Sequence, residues 1–186
     1  MRTQPGIPTR IALAGLLSSA LLASAADAPA QTGGGVPGSD ATSTTRPGKA
    51  KLTKKGKAIP PADAPSGVVW AIAAGNRIRK RPYVWGGGHG GWDSWGYDCS
   101  GAVSYVLGAA GLLPSPLPSG PLMSWGSPGK GRWITVMANR RHTYAVVAGL
   151  RWDTSSRGKR RGGKGPRWRK AKRSPRGFAI RHYPSY

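Results

Sequence analysis

The chain has 186 residues, with 29 Lys or Arg against six acids and a formal net charge of +23. Such a surface repels cations and draws polyanions (nucleic acid, anionic lipid or anionic wall polymer), and charge alone does not choose among them. A single cysteine, Cys99, excludes an intramolecular disulfide, and the length beyond the N-terminal third is enough for one modest core.

Arg2 and Arg10 flank the first residues with positive charge, and residues 11–23 are uncharged and mostly apolar. Ala23-Ser24-Ala25 and Ala28-Pro29-Ala30 each offer a small-x-small cleavage site. The apolar run is shorter than the ~20 residues of a spanning helix. Residues 1–30 are therefore expected to be a signal peptide cut after Ala25 or Ala30, giving an exported protein (secreted, wall-associated or periplasmic) with no transmembrane segment in the mature chain. Residues 31–65 mix Gly, Pro, Thr, Ser and then Lys without apolar periodicity, the composition of a disordered linker.

From Ser66 the pattern changes, and one domain is expected over residues 66–186. Val69, Ile72, Ala73 and Asn76 share a helical face, with Ser66 placed to cap it. Arg79-Lys80-Arg81-Pro82 ends that helix, Tyr83 to Trp85 is extended, and residues 92–97 read as a loop. A second helix is expected from about Asp98, with Ala102, Val103, Val106, Leu107 and Ala110 at helical spacing and Gly111 as its stop. Residues 112–128 are rich in Pro and Ser and read as irregular. Strands are expected over 132–138, 143–147, 150–154 and 178–182, the middle pair joined by a turn at Ala148-Gly149. Residues 157–173 hold ten Lys or Arg and no acid, which reads as a flexible loop. Two helices followed by an antiparallel meander make an α+β domain with helices packed on the sheet.

Cys99 falls where the second helix begins. The helix dipole and unpaired N–H groups there favour a thiolate and can hold an oxyanion. A nucleophilic thiol needs a base, and His142 opens a predicted strand. Asp153 lies eleven residues further on, across the hairpin, where its carboxylate can orient the imidazole. Spacing leaves bland readings open: a buried structural thiol, a surface histidine, or an Asp153 that starts a turn with Thr154 and Ser155. His182 is a second candidate base, and His89 reads as an exposed loop residue. The three histidines have no ligand-like spacing, so no metal is expected. Gly86 to Gly91 lacks the Lys and Ser/Thr of a phosphate loop. Trp70 reads as core. Trp85, Trp92, Trp95 and Trp125 either stack on sugar faces or cover the core. Trp168 within the basic segment suits single-stranded nucleic acid, but export makes anionic wall polymer or lipid the more available partner.

Two motifs carry a family resemblance. Pro82-Tyr83-Val84-Trp85-Gly86-Gly87, followed by Tyr97-Asp98-Cys99-Ser100-Gly101-Ala102-Val103, resembles the NlpC family of papain-like cell-wall cysteine endopeptidases. The likeness covers roughly residues 66–154. It implies a papain-like α+β fold with Cys99 as nucleophile at a helix N-terminus, His142 as base and Asp153 as third residue. Tyr83, Asp98 and Ser100 map to its substrate groove. It implies no cofactor, and a peptidoglycan stem peptide as substrate, often cut after D-Glu. Three features depart from the family. Pro128-Gly129-Lys130 stands for its usual Pro-Gly-Asp. The usual third residue is His, Asn or Gln. Arg140-Arg141 precede His142, and two guanidinium groups there are expected to depress the imidazole pKa. The competing function is a non-catalytic cell-wall or polyanion-binding protein on the same fold.

Overall fold

The structure is a computed structural model, and it describes residues 47–155 and 164–186. The expected signal peptide, residues 31–46 of the expected linker, Ser156 and residues 157–163 of the basic segment lie outside the described residues. Two helices, α1 (Ser66–Ile78) and α2 (Cys99–Ala109), pack on each other, and a single turn of helix, α3 (Ser119–Leu122), follows.

In α1 the buried side is Val68, Ala71, Ile72, Ala74 and Ile78. This face is rotated from the expected one: Ala73 is exposed and Val69 only half-buried. Trp70, expected in the core, is 57% exposed. It lies two residues, about 200° of rotation, from Val68. Ser66 does not cap: the helix begins at Ser66, and Pro65 stands before it without a side-chain cap. The expected start of α2 is correct, with Asp98 capping it by accepting from the Gly101 backbone N–H at 2.7 Å.

Residues 47–65 are not a disordered linker. They hold a two-stranded hairpin, β1 (Lys51–Leu52) with β2 (Ala58–Ile59). Asn76 of α1 bonds both backbone groups of Ala58, accepting its N–H at 2.9 Å and donating to its carbonyl at 2.8 Å. Ala50 donates to the Ala148 carbonyl at 2.8 Å. Backbone pairing to distant residues is what a composition reading of this segment misses.

Behind the helices lies one six-stranded antiparallel sheet. It is formed by β3 (Ser127–Pro128), β4 (Ile134–Asn139), β5 (His142–Val147), β6 (Leu150–Asp153), β7 (Arg167–Lys170) and β8 (Ala179–His182), in the order β3-β8-β4-β5-β6-β7. The expected meander is present. The turn between β5 and β6 has Ala148 and Gly149 at φ 45° and 80°, both left-handed as a two-residue hairpin of this kind requires. Ile134, Val136, Ala138, Ala145, Val147 and Trp152 belong to the shared core. Trp152 ties the sheet to α2 through an indole N–H bond to the Ala102 carbonyl at 2.8 Å.

β7 overturns the reading of residues 157–173 as loop throughout. Trp168 pairs in register with Trp152, their rings 4.7 Å apart, and is buried. Arg167 and Arg169 alternate with it and are half-buried. One buried tryptophan with charge on alternate residues is an amphipathic strand, and the density of basic residues hides that period of two.

Candidate active site

Cys99 opens α2, His142 opens β5 and Asp153 closes β6. The β5–β6 pairing sets Ala145 opposite Trp152. Carried one residue on, the same register sets Asp153 opposite Tyr144 and diagonal to His142. A diagonal pair on one face is within reach of long side chains, and His142 Nε2 lies 3.0 Å from Asp153 Oδ1. The His142 imidazole neighbours the Cys99 thiol closely enough that each stabilises the charged form of the other. The structure thus brings together the three residues that the sequence singled out.

The electrostatics of the three are coupled. Burial works against the Cys99 thiolate. Hydrogen bonds from His142, the Thr143 backbone N–H and Ser119 outweigh it, and the thiol sits below its ordinary value. The Ser119 hydroxyl is 3.8 Å from the sulfur. Burial also works against the imidazolium, but hydrogen bonds to Asp153 and Cys99 raise His142 to about 9. Burial disfavours the Asp153 carboxylate as well. His142 and the Ser155 backbone N–H reverse this and hold Asp153 well below the usual carboxylate range. The coupled shifts of all three groups favour their charged forms: thiolate, imidazolium and carboxylate. The expected depression by Arg140 and Arg141 is therefore overturned. Both are exposed to solvent, where their charge is screened, whereas the Asp153 side chain is fully buried against the ring.

Asp153 also takes the turn role that its sequence context left open. It accepts from the Ser155 backbone N–H and the Ser155 hydroxyl, each at 2.8 Å. On its far side Arg173 reaches Oδ2 at 3.1 Å and Arg151 lies 3.3 Å from the same oxygen. The Arg173 guanidinium also sits over the rings of Tyr144 and Phe178, at 4.8 and 5.1 Å from their centroids. The role of Arg173 was hidden in the sequence, because nothing local distinguishes it from the other basic residues around it.

Asp98 and Ser100 lie beneath the glycine loop. Asp98 caps α2, accepts from the Gly86 N–H at 3.2 Å and from the Ser100 hydroxyl at 3.1 Å. His89, expected to be an exposed loop residue, is half-buried. Its Nε2 is 3.1 Å from both Asp98 carboxylate oxygens and from the Ser100 hydroxyl. The loop sits so close to α2 that a Cβ on Gly101 would collide with the Gly87 carbonyl. Tyr83 neighbours the nucleophile: burial, then the Cys99 and Asp98 charges, push its phenol up to about 12, so it stays a neutral O–H. His182 is elsewhere, on β8, with Nδ1 3.3 Å from the Gly129 carbonyl. Trp85 and Trp95 are 85% and 72% exposed, whereas Trp125 is buried and Trp92 packs half-buried on the core. Among the described residues no three His, Cys, Asp or Glu side chains gather as a metal-binding group.

No family model matches the chain, and no curated protein matches it. Among solved structures, a hypothetical invasion protein of Mycobacterium tuberculosis is similar at 23% identity and TM-score 0.44, over 64% of this chain and 63% of that one. A mutated form of the Resuscitation Promoting Factor Interacting protein RipA is similar at 21% identity and TM-score 0.44, over 63% of each chain. The chain thus spans less than two thirds of the length of these two structures. RipD from Mycobacterium tuberculosis, described as a non-catalytic NlpC/p60 domain protein adapted to peptidoglycan binding, is similar at 18% identity and TM-score 0.45, over 64% of this chain and 98% of its own.

Proposed function

We propose that the chain is an exported NlpC-type cysteine endopeptidase that hydrolyses peptide bonds in peptidoglycan stem peptides. The observation that carries this reading is the arrangement around the sulfur: Cys99 at the start of α2, electrostatically coupled to a His142 that Asp153 holds at 3.0 Å. The motifs Pro82 to Gly87 and Tyr97 to Val103 support it from the sequence side.

In this reading the Cys99 thiolate attacks the scissile carbonyl carbon, forming a C–S bond and an oxyanion. The N–H groups of Cys99 and Ser100 precede the first helical hydrogen bond of α2, from Ala102 to the Asp98 carbonyl. They are placed to receive that oxyanion. His142 gives its proton to the leaving amine as the C–N bond breaks. It then takes a proton from water, which attacks the thioester and frees the acid and the thiolate. Asp153 keeps its charge throughout and orients the ring. Tyr83, as a neutral phenol beside Cys99, and Asp98 and Ser100 beneath the glycine loop form the substrate side of the site. A net charge of +23 favours retention on an anionic wall, with the basic residues of 157–173 as its densest part.

Purified sacculi digested with the wild-type chain should release peptides with new termini, resolvable by mass. Cys99→Ala should release none while still pelleting with the sacculi. Equal release by the variant would remove Cys99 from the mechanism. No release by the wild type, with binding intact, would make the chain a wall-binding module.

A further inference from the structure

Two adjoining cavities lie against the α1–α2 pair, and Cys99, His142 and Asp153 line neither. One, of 490 Å³, is lined by Trp70 and Arg77 of α1, Trp92 and Asp93, and Tyr105 and Gly108 of α2. The other, of 360 Å³, is lined by Arg77, Arg81, Asp93, Trp95 and Tyr105. They share Arg77, Asp93 and Tyr105, so they are halves of one groove, with Trp70 in one half and Trp95 in the other. Trp70 and Arg77 are two turns apart, roughly 10 Å along α1. Both tryptophans are exposed. A single large apolar ring in solvent is ordinary, but two in the separate halves of one groove mark a binding surface. The segment that carries Trp95 is braced from below. The Tyr97 hydroxyl accepts from the Ser94 N–H at 3.1 Å and donates to the Trp92 carbonyl at 2.8 Å. Trp92 in turn sits so close to α2 that a Cβ on Gly108 would collide with its ring. In the middle, Arg77 donates to the Tyr105 hydroxyl at 3.5 Å.

We propose that this groove binds an oligosaccharide of uncharged hexopyranose units, with sugar rings stacked on Trp70 and Trp95 and their hydroxyl and amide groups bonded to Arg77, Asp93 and Tyr105. A pyranose presents C–H groups on its faces and polar groups around its edge. It therefore calls for indole faces with donors and acceptors between them, and the groove supplies both. Asp93 offers an acceptor, and Arg77 and Arg81 offer donors. An apolar helix laid in the groove would desolvate these charges without pairing them. A phosphate chain would be repelled by the Asp93 carboxylate, which lines both halves. The braced 92–97 segment lowers the ordering cost of binding. The ligand class is read from the groove alone; its identity as the glycan strand of peptidoglycan rests on the proposed function. Gly108 stands nine residues, about 14 Å, along α2 from Cys99, so a glycan held in the groove brings its stem peptides within reach of the sulfur.

The test titrates the full chain with a linear tetramer of β-1,4-linked N-acetylglucosamine, followed by calorimetry and tryptophan fluorescence. Saturable binding is expected, weakened about tenfold, a change of ~1.4 kcal/mol, in Trp70→Ala and in Trp95→Ala. Trp70→Tyr and Trp95→Tyr should keep most of it, because a flat ring remains. Trp85→Ala removes an exposed indole that lines neither half and should bind as the wild type does. All of these rings are at the surface, so circular dichroism and Tm should not change. Absence of saturable binding overturns the proposal. So does unchanged binding in both Trp70→Ala and Trp95→Ala, or an equal loss in Trp85→Ala. Saturation by a thymidine tetranucleotide in place of the saccharide makes the groove a nucleic-acid site and also overturns it. Digestion of sacculi keeps the two readings apart. Saccharide binding without peptide release sinks the proposed function and leaves the groove standing, whereas peptide release without saccharide binding sinks the groove alone.

Discussion

At the scale of single residues, the chemistry depends on how His142 is held. In the proposed mechanism its raised value of about 9 sets the alkaline boundary of activity, because above it the imidazolium no longer protonates a leaving amine. Hydrolysis of a small stem peptide should therefore fall through pH ~9, which a pH profile of kcat/KM will read. The sign for stability follows from the same shifts. The His142 contribution is fully present below its ordinary value of 6.5 and is lost as pH rises through about 9. The Asp153 contribution is present above its ordinary value of 3.8 and is lost only as pH falls through its much lower folded value. Asp153→Asn removes the charge that raises His142 and strands Arg151 and Arg173 beside a neutral amide. The alkaline limb should drop toward 6.5. Unfolding free energy should fall by about 3 kcal/mol, the usual cost of breaking a buried ion pair from one side. Denaturant titration and the pH profile check the two halves independently.

At the scale of elements, β7 shows why periodicity has to be read beneath charge. Trp168 is buried against Trp152 and α1, and a Cβ on Gly75 would fall on the Trp168 indole. Gly75→Ala should therefore destabilise the domain by ~1–3 kcal/mol through overpacking, despite the better helix propensity of Ala. A lowered denaturation midpoint with an unchanged m-value is the expected reading. The elements that position the site were legible for local reasons. Asp98 is a capping residue directly before an apolar helical run. Ala148-Gly149 is a turn between two β-rich runs. The face of α1 was misjudged because Val, Ile and Ala occur all round it, so only the partner surface decides that Trp70 points outward.

For the whole molecule, charge and fold are interleaved rather than separate. Residues 157–173 carry ten basic side chains but include β7 with buried Trp168. Deleting the segment should unfold the domain rather than merely loosen it from the wall. A cleaner variant replaces Arg157, Lys159, Arg160 and Arg161 by Ser, leaving β7 intact. Retention on intact cell wall should fall, and its dependence on salt should flatten as fewer counterions are released. Turnover of a small soluble stem peptide should be largely preserved, since none of the four replaced residues belongs to the proposed catalytic set. A sedimentation assay at low and high salt, run beside the peptide assay, separates the two effects. Loss of peptide turnover in a folded variant would contradict this division.

The amino-acid sequence by itself determined the order of helices and meander, the helix start that carries Cys99, and the candidacy of His142 and Asp153. These depend on short-range terms: a cap, a turn, and apolar spacing within a few residues. Tertiary structure alone decided that Nε2 of His142 meets Asp153 across a diagonal of the sheet, that burial and pairing raise the imidazole despite Arg140 and Arg141, and that residues 47–65 are tied down through Asn76 and Ala148. It also decided which cation in a basic stretch, Arg173, reaches the buried carboxylate. Electrostatic and hydrogen-bond energies depend on distance and desolvation in space, and neither is a function of separation along the chain.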